Sequence, residues 1–326
     1  MSLRTLHELL DDQLRLPPET RDQLTSHLPM ALQALHSLGA SDDRMRAFAT
    51  TYLRRFETTG TAAPGTPVDH WRALRGRDDA WPALHASFAA ALARDGEEAV
   101  LRAALPDLLS GVAAAAFHGV IRTAHAIEAM HRGELAAALA YWAWRWQPLA
   151  PPRATSTPAL AFDDWAAQLI AGARGWTTEG RLISLRIGAA TAAEPYHAFA
   201  GRLAPTPDLL PRLAALAVGR YAETRNFTVL HMVTGLRALR IVLPRVADPT
   251  PLLPGLVHAF TAAYLAARVG PETSSPAART PAWDAVIAAA IAQDDDHVIK
   301  IVHACREEAA AYGPGRYLEA AALAVS

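Results

Sequence analysis

The sequence predicts an all-α protein, a multi-helix bundle in one domain, on two observations. Apolar residues recur at three- and four-residue spacing through most of the 326 positions. No period-2 run of β-branched residues bounded by hairpin turns occurs anywhere in the chain.

Taken in order, Leu3 to Leu14 carries leucines at helical spacing and stops before Pro17-Pro18. Pro18 is expected to open a longer helix running through Leu38 and closed by Gly39, a residue suited to a helix C-terminus. Ser41-Asp42-Asp43 reads as an N-cap followed by acidic first-turn residues, leading a helix with Met45, Phe48, Tyr52 and Phe56 on one face. Thr58 to Pro67 is a Gly/Pro/Thr loop. Helices are then expected from Trp81 to Ala93, from Glu97 to Leu105, from Pro106 to Met130 as one long Ala-rich rod, and from Leu135 to Trp146, ended by Pro148.

Ala150 to Pro158 is the strongest linker candidate, so the Pro-rich connection near 148–158 separates two helical halves of the domain. The second half is expected to hold helices from Asp163 to Gly172, Glu179 to Ala190, Tyr196 to Leu203, Pro207 to Tyr221, Phe227 to Leu243, Leu252 to Val269 and Trp283 to Tyr312. The loop from Gly270 to Pro281, rich in Pro, Ser and Thr, is expected to be exposed and mobile.

Composition excludes several classes. A formal net charge of −1 argues against a nucleic-acid or anionic-membrane partner. Met1 to Leu16 lacks the apolar core of a signal peptide. The most apolar window, around Ala103 to Ile121, contains Pro106, Asp107 and His118, so no membrane span is expected. The single cysteine, Cys305, cannot form an internal disulfide and fits a reducing cytoplasm. Neither a GxGxxG nor a P-loop pattern is present, which counts against a nucleotide such as NADPH held in the usual way.

One residue stands out from the basic set. Lysine and arginine total 31, yet Lys300 is the only lysine, set in an apolar helical run three residues after His297. An amine can lose its proton and become a nucleophile, a Schiff-base former or a carbamate, whereas a guanidinium does not.

The thirteen histidines are the second anomaly. His27 begins His-Leu-Pro-Met-Ala-Leu; His118 follows four alanines and Phe117, with Gly119 next, which leaves room for an ion, a ligand or a close helix. His231 sits in Val-Leu-His-Met-Val-Thr-Gly. His297 and Lys300 share one side of the last long helix, with Asp294 to Asp296 placed to orient His297 or to cap the helix. His125, seven residues after His118, with Glu128 one turn further, has the spacing of a ligand backed by a carboxylate, and His303 continues the Lys300 face in poorer alignment. His7, His36, His70, His85, His131, His197 and His258 read as surface or packing residues.

Each histidine alone is as well explained by a buried imidazole bonded to a carbonyl. Together, four apolar-embedded histidines on four helices are what a metal site inside a helical bundle requires. Neutral imidazoles suit iron, zinc, copper or nickel. They leave the ion's charge uncompensated in a low-dielectric core, and a carboxylated Lys300 would supply the missing anion. Arg122, one turn after His118, is a candidate catalytic residue for a developing oxyanion or a substrate phenolate; a salt bridge to Glu128 or an aspartate explains it equally well. Trp142, Trp144 and Trp146 either wall an aromatic pocket or belong to the core.

Five blocks in order resemble the questin oxidase-like family: His27-Leu28-Pro29-Met30-Ala31-Leu32 with Leu38-Gly39-Ala40; Phe117-His118-Gly119-Val120-Ile121-Arg122; Tyr141-Trp142-Ala143-Trp144; Leu230-His231-Met232-Val233-Thr234-Gly235; and Asp296-His297-Val298-Ile299-Lys300. The resemblance implies an oxidoreductase, an O2-dependent oxidase or oxygenase of aromatic polyketides such as anthraquinones. Ring opening is described there either as NADPH-dependent Baeyer–Villiger oxidation or as dioxygenation. For the dioxygenase type it implies a non-haem iron held by four histidines and a carboxylated lysine, which would fall on His27, His118, His231, His297 and Lys300. A metal-free protein using Lys300 as a base or Schiff-base residue is the alternative.

Overall fold

The computed structural model describes residues 2–56, 60–154, 156–269 and 281–326. Among them the chain is helical, and extended pairing is limited to isolated bridges joining Glu19 to Thr25 and Leu160 to Leu203. The Gly270 to Pro281 loop falls, except for its last residue, outside the described residues.

The first half contains α1 (Leu3–Gln13), α2 (Leu28–Leu38), α3 (Asp42–Arg55), α4 (Trp81–Asp95), α5 (Glu97–Leu109), α6 (His118–Glu128) and α7 (Arg132–Trp144). The second contains α8 (Phe162–Ala173), α9 (Ile183–Ala190), α10 (Glu194–Phe199), α11 (Leu209–Thr224), α12 (Phe227–Val242), α13 (Leu253–Ala266), α14 (Trp283–Ala292), α15 (Asp296–Tyr312) and α16 (Tyr317–Ala324). The halves meet directly, α6 against α12 and α2 against α15.

The α12 helix is apolar on nearly every face because helices surround it. Phe227–Arg245 is long and apolar enough to cross a membrane, yet 78% of its most apolar window is buried inside the fold, as a core helix requires. Close approach between α6 and α12 depends on Gly235: a Cβ there would stand 3.1 Å from Phe117.

Four departures from the sequence expectation matter, three of which shape the site. Residues 18–27 do not extend α2. They fold back in turns, with Ser26 N–H donating to Pro18 O at 2.8 Å. The buried Glu19 carboxylate, which accepts from Tyr141 and Arg145, holds the segment away from a helical path. The expected rod from Pro106 to Met130 is broken as well: Pro106 lies inside α5, and α6 starts only at His118.

Between them Ala115, Ala116 and Phe117 have φ of 47°, 57° and 68°. Left-handed backbone costs a non-glycine residue roughly 1–2 kcal/mol each. The break is held by Trp142 Nε1–H donating to Gly111 O at 3.1 Å and by Phe117 buried against Gly235. The run from Trp283 to Tyr312 divides at residues 293–295, where the Asp295 side chain accepts from His297 N–H and Val298 N–H and so caps α15. The fourth, α16, follows Gly313, whose φ of 93° ends α15 in a conformation glycine tolerates.

Candidate metal centre

Each of the four expected histidines stands at or near the start of a helix. His27 precedes α2, His118 opens α6, His231 lies in the first turns of α12, and His297 is the second residue of α15. The start of a helix fixes a side chain's direction sharply, because the cap sets where the turn begins.

The four rings close into a circuit. Centroid separations are 4.6 Å for His27–His118, 5.0 Å for His118–His231, 5.5 Å for His231–His297 and 4.6 Å for His27–His297. In every ring Nδ1 faces an oxygen acceptor. His118 Nδ1–H donates to Ala115 O at 2.5 Å, and His231 Nδ1–H donates to Phe227 O at 2.8 Å. His27 Nδ1–H donates to Asp296 Oδ2 at 2.5 Å, and His297 Nδ1 lies 3.2 Å from the same oxygen. Nε2 of His118 and Nε2 of His297 are buried without a hydrogen-bond partner.

Burial holds the proton affinity of His118 and His231 well below the usual imidazole value, with neighbouring histidines adding to the effect. Burial and then Lys300 lower His27 to about 3. Neutral rings with Nδ1 fixed and Nε2 left over are the donor state a metal requires, and the acceptor behind each Nδ1 fixes its tautomer. Two buried orphan nitrogens among these rings fit a metal ion, as does the donor chemistry.

Asp296 is the residue that sequence reasoning undervalued. Its Oδ2 contacts His27 and His297 and lies 3.6 Å from Lys300 Nζ. Ligand atoms of His27, Asp296 and His297 lie within 4.8 Å of one another. Burial opposes its ionisation, but His27, Lys300 and His297 outweigh that and hold the carboxyl well below the usual carboxylate range. Lys300 is fully enclosed, and burial lowers its amine to about 8 against the opposing pull of Asp296.

Other expected residues go elsewhere. Arg122 does not reach the site: its Nε and Nη2 donate to Glu134 at 2.6 and 2.9 Å in a buried ion pair, so an oxyanion role has no support from its position. The partner is neither Glu128 nor an aspartate, because Glu128 is taken by Arg237. His125 Nδ1 lies 2.5 Å from Gln33 Oε1 and its ring packs on His303, a second buried layer apart from the four-histidine circuit. The space beside Gly119 is filled by Trp142, 2.6 Å from where a Cβ would stand, so close helix packing explains that glycine. Trp142 is core; Trp144 and Trp146 line a cavity.

That cavity, about 750 Å³, opens onto the histidine circuit. Its wall includes all four histidines, Asp296, Ala115 and Ala116 of the strained turn, and residues of the 19–25 segment, while Lys300 lies behind the wall. Leu24, Leu185 and Phe227, large apolar side chains that stay more than half exposed, sit around it. Exposed apolar surface gathered at one concavity marks a ligand site.

Fold and site together describe an all-helical protein with a histidine-rich centre at the base of an aromatic-walled cavity. Residues 24–172 match the family model described as questin oxidase-like, which supports the resemblance read from the sequence. The matched stretch contains His27 and His118; His231, His297 and Lys300 lie beyond it. The matched family implies an oxidoreductase. No curated protein matches the chain.

Proposed function

We propose that the protein is an O2-dependent oxygenase that oxidises an aromatic polyketide or quinone-like molecule, ring opening included, at a non-haem iron held by His27, His118, His231, His297 and a carboxylated Lys300. The observation that carries this reading is the shared state of the four rings, each with Nδ1 directed at an acceptor, around two buried nitrogens that lack a partner. Bound iron would supply the activation of dioxygen, which no side chain here can perform alone.

The remaining work falls to the chain. Asp296 orients His27 and His297 and, by accepting their protons, strengthens them as donors. Trp144, Trp146 and Phe227 hold a flat ligand and displace water from the cavity. Lys300 with a pKa near 8 keeps a fraction of free amine near neutral pH. Attack of that amine on CO2 forms an N–C bond and releases one proton, leaving a carbamate. Beside the Asp296 carboxylate such an anion would need a compensating cation, so carbamate and metal are expected to form together. Without them, the ammonium has Asp296 as its counter-ion.

Use of Lys300 as a Schiff-base residue is disfavoured by its place behind the cavity wall, where a substrate carbonyl does not reach. The described residues hold no glycine-rich phosphate loop that would favour NADPH. Metal analysis of the purified protein tests the proposal. The expected result is about one iron per chain, as this ligand set requires, with loss of iron in His118→Ala and His231→Ala variants that remain folded. Folded wild-type protein that takes up no iron overturns it.

A further inference from the structure

Four arginines stand on the cavity wall: Arg55, Arg145, Arg181 and Arg186. Arg145 is neutralised, since Glu19 grips its guanidinium and Asp78 lies 3.5 Å from Nη1. The others bond only to uncharged oxygens. Arg186 donates from Nε to Ala266 O at 3.2 Å, from Nη1 to Gly180 O at 3.3 Å and from Nη2 to Thr228 Oγ1 at 3.3 Å. Arg181 donates to Asp22 O at 3.0 Å, and Arg55 donates to Asp294 O at 2.8 Å. None of these three forms an ion pair with a carboxylate among the described residues.

The contrast with the rest of the fold is informative. The buried or half-buried Arg122, Arg237 and Arg240 each face a glutamate, as the cost of an uncompensated buried charge demands. The acids on the cavity wall are all engaged: Glu19 and Asp78 by Arg145, and Asp296 by His27 and Lys300. Among the described residues, Arg55, Arg181 and Arg186 therefore bring positive charge to the wall with no carboxylate paired to it. Half-buried Arg186 shows the consequence: burial, and then the like charge of Arg268, lower its proton affinity.

Resting on the proposed aromatic oxygenase reading, we infer that the ligand of this cavity carries an anionic oxygen substituent, held by Arg186 with Arg181 at the rim, while its rings lie on the Trp144, Trp146 and Phe227 wall. A planar guanidinium with fixed donors matches a carboxylate or phenolate better than any other group on this wall. The cavity is large enough for a substituted three-ring system. The specificity so assigned is for charged rather than neutral members of the aromatic class.

The test uses the full chain and two near-isosteric probes, anthraquinone-2-carboxylate and anthraquinone-2-carboxamide, with binding followed by quenching of tryptophan fluorescence. In wild-type protein the carboxylate is expected to bind about tenfold tighter, the worth of one charge-assisted hydrogen bond, and added salt should erode the difference. Arg186→Gln should abolish the preference. Arg181→Gln, at an exposed position where folding is not at risk, should reduce it. Equal binding of both probes to wild type, or a preference surviving in both variants, overturns the inference while leaving an aromatic site. Failure of both probes to bind overturns the aromatic reading as well.

Discussion

His27 and Asp296 are separated by 269 positions in the chain, yet His27 Nδ1 lies 2.5 Å from Asp296 Oδ2. This contact joins the start of α2 to the start of α15 and so closes the site across the two halves of the sequence. It also sets the tautomer of His27, which leaves Nε2 available. Asp296→Asn keeps a hydrogen-bond acceptor but removes the charge. Its iron affinity, measured by titration of the metal-free protein, should fall about 10- to 100-fold, the usual cost of altering a ligand-orienting partner. Unchanged affinity would mean that Asp296 does not tune the histidines.

Lys300→Arg separates charge from amine chemistry. It retains a cation facing Asp296 but cannot become a carbamate. The protein should fold and should hold no iron by metal analysis. Wild type loaded under CO2-free conditions should take up less iron than the same protein with bicarbonate. Full occupancy in Lys300→Arg would rule out the carbamate.

Arg122→Met leaves the Glu134 carboxylate buried without its partner. Urea unfolding should show a loss of about 3–5 kcal/mol, and pairing it with Glu134→Met should recover most of that, because two apolar side chains replace two charges. Iron content of the folded single variant should match wild type, since Arg122 stabilises the α6–α7 contact and not the cavity. Iron loss without a stability change would restore a role at the site.

The Ala115–Phe117 turn stores strain beside His118. Ala115→Gly should stabilise the protein by about 1 kcal/mol in urea unfolding, since glycine adopts positive φ without the Cβ penalty. Destabilisation would show that the turn is held by contacts of that methyl group.

Helix periodicity was readable because one face of each helix must be apolar wherever it meets the core; Phe227 to Leu243 and Asp163 to Gly172 were placed within a residue or two. Breaks were harder. The rod expected across Ala113 to Phe117 has excellent local helix formers, and only the packing of Phe117 on Gly235 and of Trp142 on Gly119 shows why the chain turns left-handed there. The 18–27 segment likewise reads as helical until the buried Glu19 finds Tyr141 and Arg145, more than a hundred positions away.

By itself, the sequence determined the helical class and singled out His27, His118, His231, His297 and Lys300 as candidates, because chemistry-bearing residues in apolar runs, each ambiguous alone, stand out as a group. Tertiary structure alone decided that the four rings close into one circuit, that Arg122 belongs to Glu134, and that Asp296 rather than Asp294 or Asp295 enters the site. Successive helical residues point about 100° apart. With Asp295 fixed as the cap, Asp296 turns inward, while Asp294 stays outside against Arg44. Three consecutive aspartates offer no local signal of which one that is; the packing of α15 against α2 selects it.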